Sequence, residues 1–344
     1  MFAREADEDS TLRTALEAVV LLKIDGEKDE GLVLAEQFRV TGFPTFALMN
    51  ANGELINRWA GYGNADGFIG SLEAALDDPI LITERQARYD ESPTVRDADV
   101  LAEYHSTRDE YVEAVDLLRD AMRLSEDGHD AYRHRIFTNS AFGFLHGVMG
   151  QGDTLFTKHE VMNAADALIG GTDAEIGALM TVAQLMQMVA SQSGDTSLMT
   201  PYLEAAMERT EGSTEPWVQQ AREFLLVDYT LHVTGDAAKA LELKRDQMHD
   251  GWMDDASELN SFAWWCFEND VNLEEAQTLA RRGVELSEPG PPTAMILDTL
   301  AEICHARGNT DEALAFMRQA VAEAPEEEHY QRQVARFEEA AAAR

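Results

Sequence analysis

One stretch constrains this chain more than any other: Val40-Thr41-Gly42-Phe43-Pro44-Thr45, set between two apolar runs. Before it lies Ala18-Val19-Val20-Leu21-Leu22-Lys23-Ile24-Asp25, then a short helical piece over residues 31–38. After it come a predicted strand at 45–49, a turn at Asn50-Ala51-Asn52-Gly53 and a second strand at 54–60. Asn-Gly between apolar runs is a strong hairpin signal. A proline directly ahead of a buried-looking strand needs a reason, because it cannot donate a ladder hydrogen bond. A cis peptide between Phe43 and Pro44 supplies one: it turns the chain sharply and leaves neighbouring backbone groups open to a partner. Residues 19–24 form a near-continuous aliphatic run and are expected to be a parallel strand covered on both faces. Phe68, Ile69, Leu72, Ala75 and Leu76 give a helix whose apolar face lies on the sheet, closed by Pro79.

In order and spacing, about the first 80 residues resemble the thioredoxin family: strand ending in Asp25, helix, Val-x-Gly-Phe-Pro-Thr, hairpin, Gly61-Tyr62, last helix. The resemblance implies that Phe43, Pro44 and Thr45 form a substrate- or peptide-binding loop whose free backbone groups pair with an extended segment. The Cys-x-x-Cys that gives the family its chemistry occurs nowhere in the chain. In a complete domain that motif heads the first long helix, and residues 19–24 match the strand after that helix. Residues 1–18 then correspond to helix remnant and connector, with Asp9 or Ser10 as N-cap. Two readings stay open. The domain lacks its first third and serves as a binding platform, or Met1 is not the true start and the cysteines lie upstream.

Beyond a linker expected at 80–96, with Pro79 and Pro93 as breakers, no strand signal recurs and amphipathic helices follow one another. Leu297, Leu300, Ala301, Cys304, Gly308, Ala313, Met317, Ala320 and Pro325 fall at positions resembling a tetratricopeptide helix–turn–helix repeat. Ala263, Trp264, Phe267, Ala276, Ala280 and Gly283 repeat the pattern one unit earlier. Weaker matches run through Ala98, Leu101, Ala102, His105, Ala114, Leu118 and Ala121, and through Phe224, Val227, Leu231, Gly235 and Ala240. Helix pairs without this signature are expected between Tyr132 and Gly171 and between Ala174 and Thr210.

The net charge of −37 disfavours nucleic acid and anionic membranes as partners, since both require a basic face. The first 80 residues carry −9 of it, so no acidic tail explains the excess. Cys266 and Cys304 sit among Trp264, Trp265, Phe267, Leu300 and Ile303 and are read as core thiols, not a redox pair. The histidines lack the one-turn spacing of a helical metal site, and no nucleotide, hydrolase or zinc motif appears. No catalytic residue, cofactor or metal is therefore assigned.

The expected fold is an α/β partial thioredoxin-like domain (1–79) followed by an all-α tetratricopeptide-like solenoid (97–325) and a capping helix (326–344). The expected function is protein–protein interaction, with a protein or peptide on the concave face of the repeats and no catalysis by this chain. The alternative is a thiol–disulfide oxidoreductase whose Cys-x-x-Cys lies upstream. The chain as encoded is expected to be soluble and cytoplasmic, or periplasmic or secreted if a longer N-terminus carries a signal peptide.

Overall fold

A computed structural model of the protein describes residues 2–150, 152–170 and 175–342. Met1, Gly171, Ala174 and Arg344, which bound spans read from the sequence, lie outside the described residues. The chain forms two compact units, Met1–Ser193 and Gly194–Arg344. The described residues hold eighteen α-helices and one two-stranded antiparallel sheet. No described helix is long and apolar enough to cross a membrane.

The first unit opens with α1 (Phe2–Glu8) and α2 (Ser10–Leu16). Asp9 caps α2, its carboxylate accepting the Thr11 and Leu12 N–H groups at 2.7 and 3.0 Å. Then follow α3 (Glu30–Gln37), β1 (Thr45–Met49), β2 (Leu55–Ala60) and α4 (Ala65–Asp77). The hairpin forms where Asn52-Gly53 placed it. Gly53 takes φ +79°, and the Asn50 side chain accepts the Asn52 and Glu54 N–H groups. Its core is aromatic: Phe2, Phe46, Trp59 and Phe68 pack with ring centroids 4.9–5.8 Å apart, over Leu12 and Leu72.

Residues 19–24 do not form the expected strand. Val20 is 89% and Leu22 76% exposed, and Val19 closes a turn onto the Leu16 carbonyl at 3.2 Å. A strand persists only where a neighbour takes its N–H and C=O groups. β1 and β2 pair with each other alone, and no third strand lies beside them among the described residues.

The span 80–96, expected as a linker, carries a helix, α5 (Ile82–Glu91). The unit continues with α6 (Val95–Ser106), α7 (Tyr111–Leu124), α8 (His129–Val148), α9 (Lys158–Ile169) and α10 (Ile176–Ser193). Both α5 and α6 pack on β2. Ala98, Leu101, Ala102, Ala114, Leu118 and Ala121 are all fully buried in the close pair of α6 and α7. Below α5 lies a buried ion cluster. Asp97, fully buried, accepts from Arg85 at 2.8 Å, from Arg88 Nε at 2.9 Å and from the Thr94 hydroxyl at 2.9 Å.

The second unit comprises α11 (Thr200–Arg209), α12 (Pro216–Asp228), a π-helical turn (Tyr229–Val233), α13 (Ala237–Asp246), α14 (Ala256–Glu268) and α15 (Leu273–Leu286). It ends with α16 (Pro291–Ala306), α17 (Thr310–Glu323) and α18 (Glu328–Ala342). From α14 onward each helix packs on the next, around Phe262, Ala263, Ala280, Leu300, Ala301, Met317 and Phe337. These are helical repeats built on the spacing read from the sequence.

Candidate functional site

The Phe43–Pro44 peptide is cis. Pro44 is fixed from the opposite strand, because the Gly61 N–H donates to its carbonyl at 2.8 Å. Thr45 lies opposite Ala60 in the ladder, and its hydroxyl donates to the Gly42 carbonyl at 2.7 Å. Phe43 stands out of this frame. Its side chain is 61% exposed, and no hydrogen bond reaches its backbone N–H or C=O among the described residues. The ring lies over Gly26, where an added Cβ would come within 2.5 Å of it. Phe43, Pro44 and Thr45 are thus together on one turn, with an exposed aromatic ring and with the Phe43 N–H and C=O unpaired among the described residues.

Behind the loop, the strand register turns Ile56 and Arg58 to one buried face of β2. Arg58 Nη1 donates to the Phe38 carbonyl, and Nη2 donates to Arg39 at 2.9 Å and Thr107 at 2.6 Å. Burial, with Arg108 nearby, pushes its pKa below the usual guanidinium value. An arginine at the same inward register as Ile56 was the available signal, and composition and spacing passed over it. An open cleft of about 540 Å³, lined by Arg58 among others, runs between Trp59, Tyr62, Asn64 and the Asp99–Arg135–Glu103 ion pairs of α6 and α8.

The two thiols lie elsewhere. Cys266 and Cys304 are fully buried in the second unit's core. Burial first, then Glu275 for Cys266 and Glu312 for Cys304, pushes both thiols up to about 12. At pH 8 the thiolate fraction is then on the order of one in ten thousand. We expect neither cysteine to react with a disulfide reagent in the native protein within an hour, and both to react in guanidinium; labelling of either at the free-cysteine rate would refute the burial. Among the described residues no group of three or more His, Cys, Asp or Glu is disposed to hold a metal.

Residues 2–76 match a family model described as a thioredoxin-like domain. The match spans the Pro44 loop, the hairpin and α4, and stops short of α5. No curated protein matches the chain.

Proposed function

We propose that this chain, with its thioredoxin-like domain at residues 2–76, binds an extended peptide at the Phe43-Pro44-Thr45 loop without chemistry of its own, while its tetratricopeptide-like repeats hold a further part of the same partner. The observation that carries the reading is Phe43: an exposed aromatic ring on a residue whose N–H and C=O have no hydrogen-bond partner among the described residues. An extended segment satisfies these two groups by strand-like pairing, and its side chains gain the ring's apolar face. The net charge of −37 favours a cationic segment, and predicts an association rate that falls with salt.

The test is the affinity of an extended ten-residue peptide of alternating Val and Lys, measured by fluorescence anisotropy. Phe43→Ala is expected to weaken binding about tenfold, the loss typical of an aromatic anchor. Equal affinity of Phe43→Ala and the parent would count against the loop.

A second reading is favoured by residues 19–24. Their aliphatics are exposed, and one edge of β1 pairs with no strand among the described residues; an additional strand would find partners in both. If a segment upstream of residue 1 supplies that strand with a Cys-x-x-Cys, the loop serves a thiol–disulfide oxidoreductase. Reductase activity in an extended form, and its loss when the upstream cysteines become Ser, would support it; an upstream sequence without cysteines would end it.

A further inference from the structure

We propose that the turn between α6 and α7 is a seat that sets the geometry of the Pro44 loop, with Arg58 and Glu110 as its positioning residues. The inference rests on the reading of that loop as the binding element.

Two helices of the first unit, α3 and α6, end in the same way. Arg39 and Asp109 take left-handed φ values of +47° and +60°. The next residues reach back, Val40 N–H to the Ala35 carbonyl at 2.8 Å and Glu110 N–H to the His105 carbonyl at 3.1 Å. Each is a Schellman-type ending, which still leaves carbonyls at the helix terminus without partners. Arg58 bridges the two ends through Phe38, Arg39 and Thr107. It is 2% exposed, and no carboxylate among the described residues forms an ion pair with it. The negative ends of two helix dipoles stand in for a counter-ion. Removing either end would strand a buried charge, so the two termini are held together as a unit.

The rim repeats the link at the surface. Arg39 pairs with Glu110 at 2.8 Å, and the Thr41 hydroxyl bonds Asp109 at 3.2 Å. Glu110 is itself fixed by Arg108 and by His105 Nδ1 at 2.8 Å. Burial would raise its carboxyl pKa, but these two partners outweigh it and hold Glu110 below the usual range. Every residue from 38 to 41 except Val40 therefore has a bond to β2 or to the α6–α7 turn, and the chain reaches Gly42 and Phe43 from a fixed start. On the far side, the Gly61 N–H fixes Pro44 from the same strand that carries Arg58. The loop is gripped from both ends by elements that the helical region holds in place.

The experiment is amide hydrogen exchange on the full chain, following Val40 and Gly61, whose N–H groups bond Ala35 and Pro44. The control is α7, which reports unfolding of the unit. The double variant Arg39→Gln/Thr41→Val changes only rim side chains and keeps the fold. It is expected to speed exchange at Val40 and Gly61 about two- to fivefold with α7 unchanged, in line with partial loss of surface contacts. Arg58→Met is expected to speed both more than tenfold, and Arg58→Lys, which keeps the charge but cannot span three carbonyls, to fall between. Should Arg58→Met fail to fold, the rim variant still decides. Unchanged exchange at both amides in the rim variant, or equal acceleration throughout α7, overturns the proposal. The Val/Lys peptide should bind the rim variant more weakly by the factor seen at Gly61. Absence of peptide binding to the parent defeats the binding reading alone, because the exchange measurement needs no ligand.

Discussion

Asp97→Ala is expected to destabilise the first unit by about 3–5 kcal/mol, the loss seen when one partner of a buried ion pair is removed. Arg85 is almost fully buried, and without Asp97 it keeps only Asp78, whose carboxylate Arg88 also uses. Asp97→Asn keeps the shape and some hydrogen bonds, so its loss should be smaller. The same cluster gives the pH dependence a sign. Burial alone would raise the Asp97 pKa, but hydrogen bonds from Arg88, Thr94 and Arg85 outweigh it and hold it below the ordinary value of 3.8. Asp78 is lowered too, chiefly by its bond to Arg88. A carboxylate whose folded pKa is depressed stabilises the fold above its unfolded pKa, and that stability is lost as pH falls through the folded value. The parent should therefore lose stability below about pH 4, and Asp97→Asn should lose less of its own over that range. Urea unfolding at pH 7 and pH 3 measures both, and equal pH slopes for the two proteins would contradict the assignment.

Gly147→Ala is expected to cost about 2 kcal/mol despite its position at the end of a helix, where alanine is intrinsically better. An added Cβ would lie 2.2 Å from the Thr154 Cα and 2.4 Å from its nitrogen, and backbone cannot rotate away as a side chain can. One turn earlier Gly143 faces the Phe156 ring in the same manner. The two glycines let the segment before α9 lie directly on α8, and the substitution would lift it and expose Phe156. The gain of about 1 kcal/mol in helix propensity is the smaller term. Gly70, in the middle of α4 with open space around it, reverses the balance. Gly70→Ala should stabilise by about 0.5–1 kcal/mol. Thermal unfolding of the pair tests the contrast, and a stabilised Gly147→Ala would contradict the close contact.

Local signals carried much of the fold. Asn52-Gly53 announced the hairpin, Asp9 the start of α2, and small residues such as Ala263, Ala301 and Ala313 the close helix pairs of the second unit. Residues 19–24 misled because their composition describes a buried strand, while strand formation depends on a neighbour that no local pattern supplies. The helix within the expected linker was hidden for a different reason. Pro79 and Pro93 do break the chain, but between them α5 is fixed by Arg85 and Arg88 reaching an aspartate in the next helix. That is a tertiary contact, invisible to periodicity. The candidate loop was legible in Phe43, Pro44 and Thr45 because the chain there is unusual in itself. The Arg58 bridge behind it was not, because its three carbonyl partners come from positions 38, 39 and 107.

The central claim is that the Pro44 loop receives an extended peptide. Titration of the isotopically labelled chain with the Val/Lys peptide, followed by amide chemical shifts, tests it most directly. The account predicts that the largest saturable shifts fall on Gly42, Phe43 and Thr45, with smaller ones in residues 26–33, and that Phe43→Ala removes them. Shifts confined to the second unit, with residues 42–45 unmoved at saturation, would contradict it.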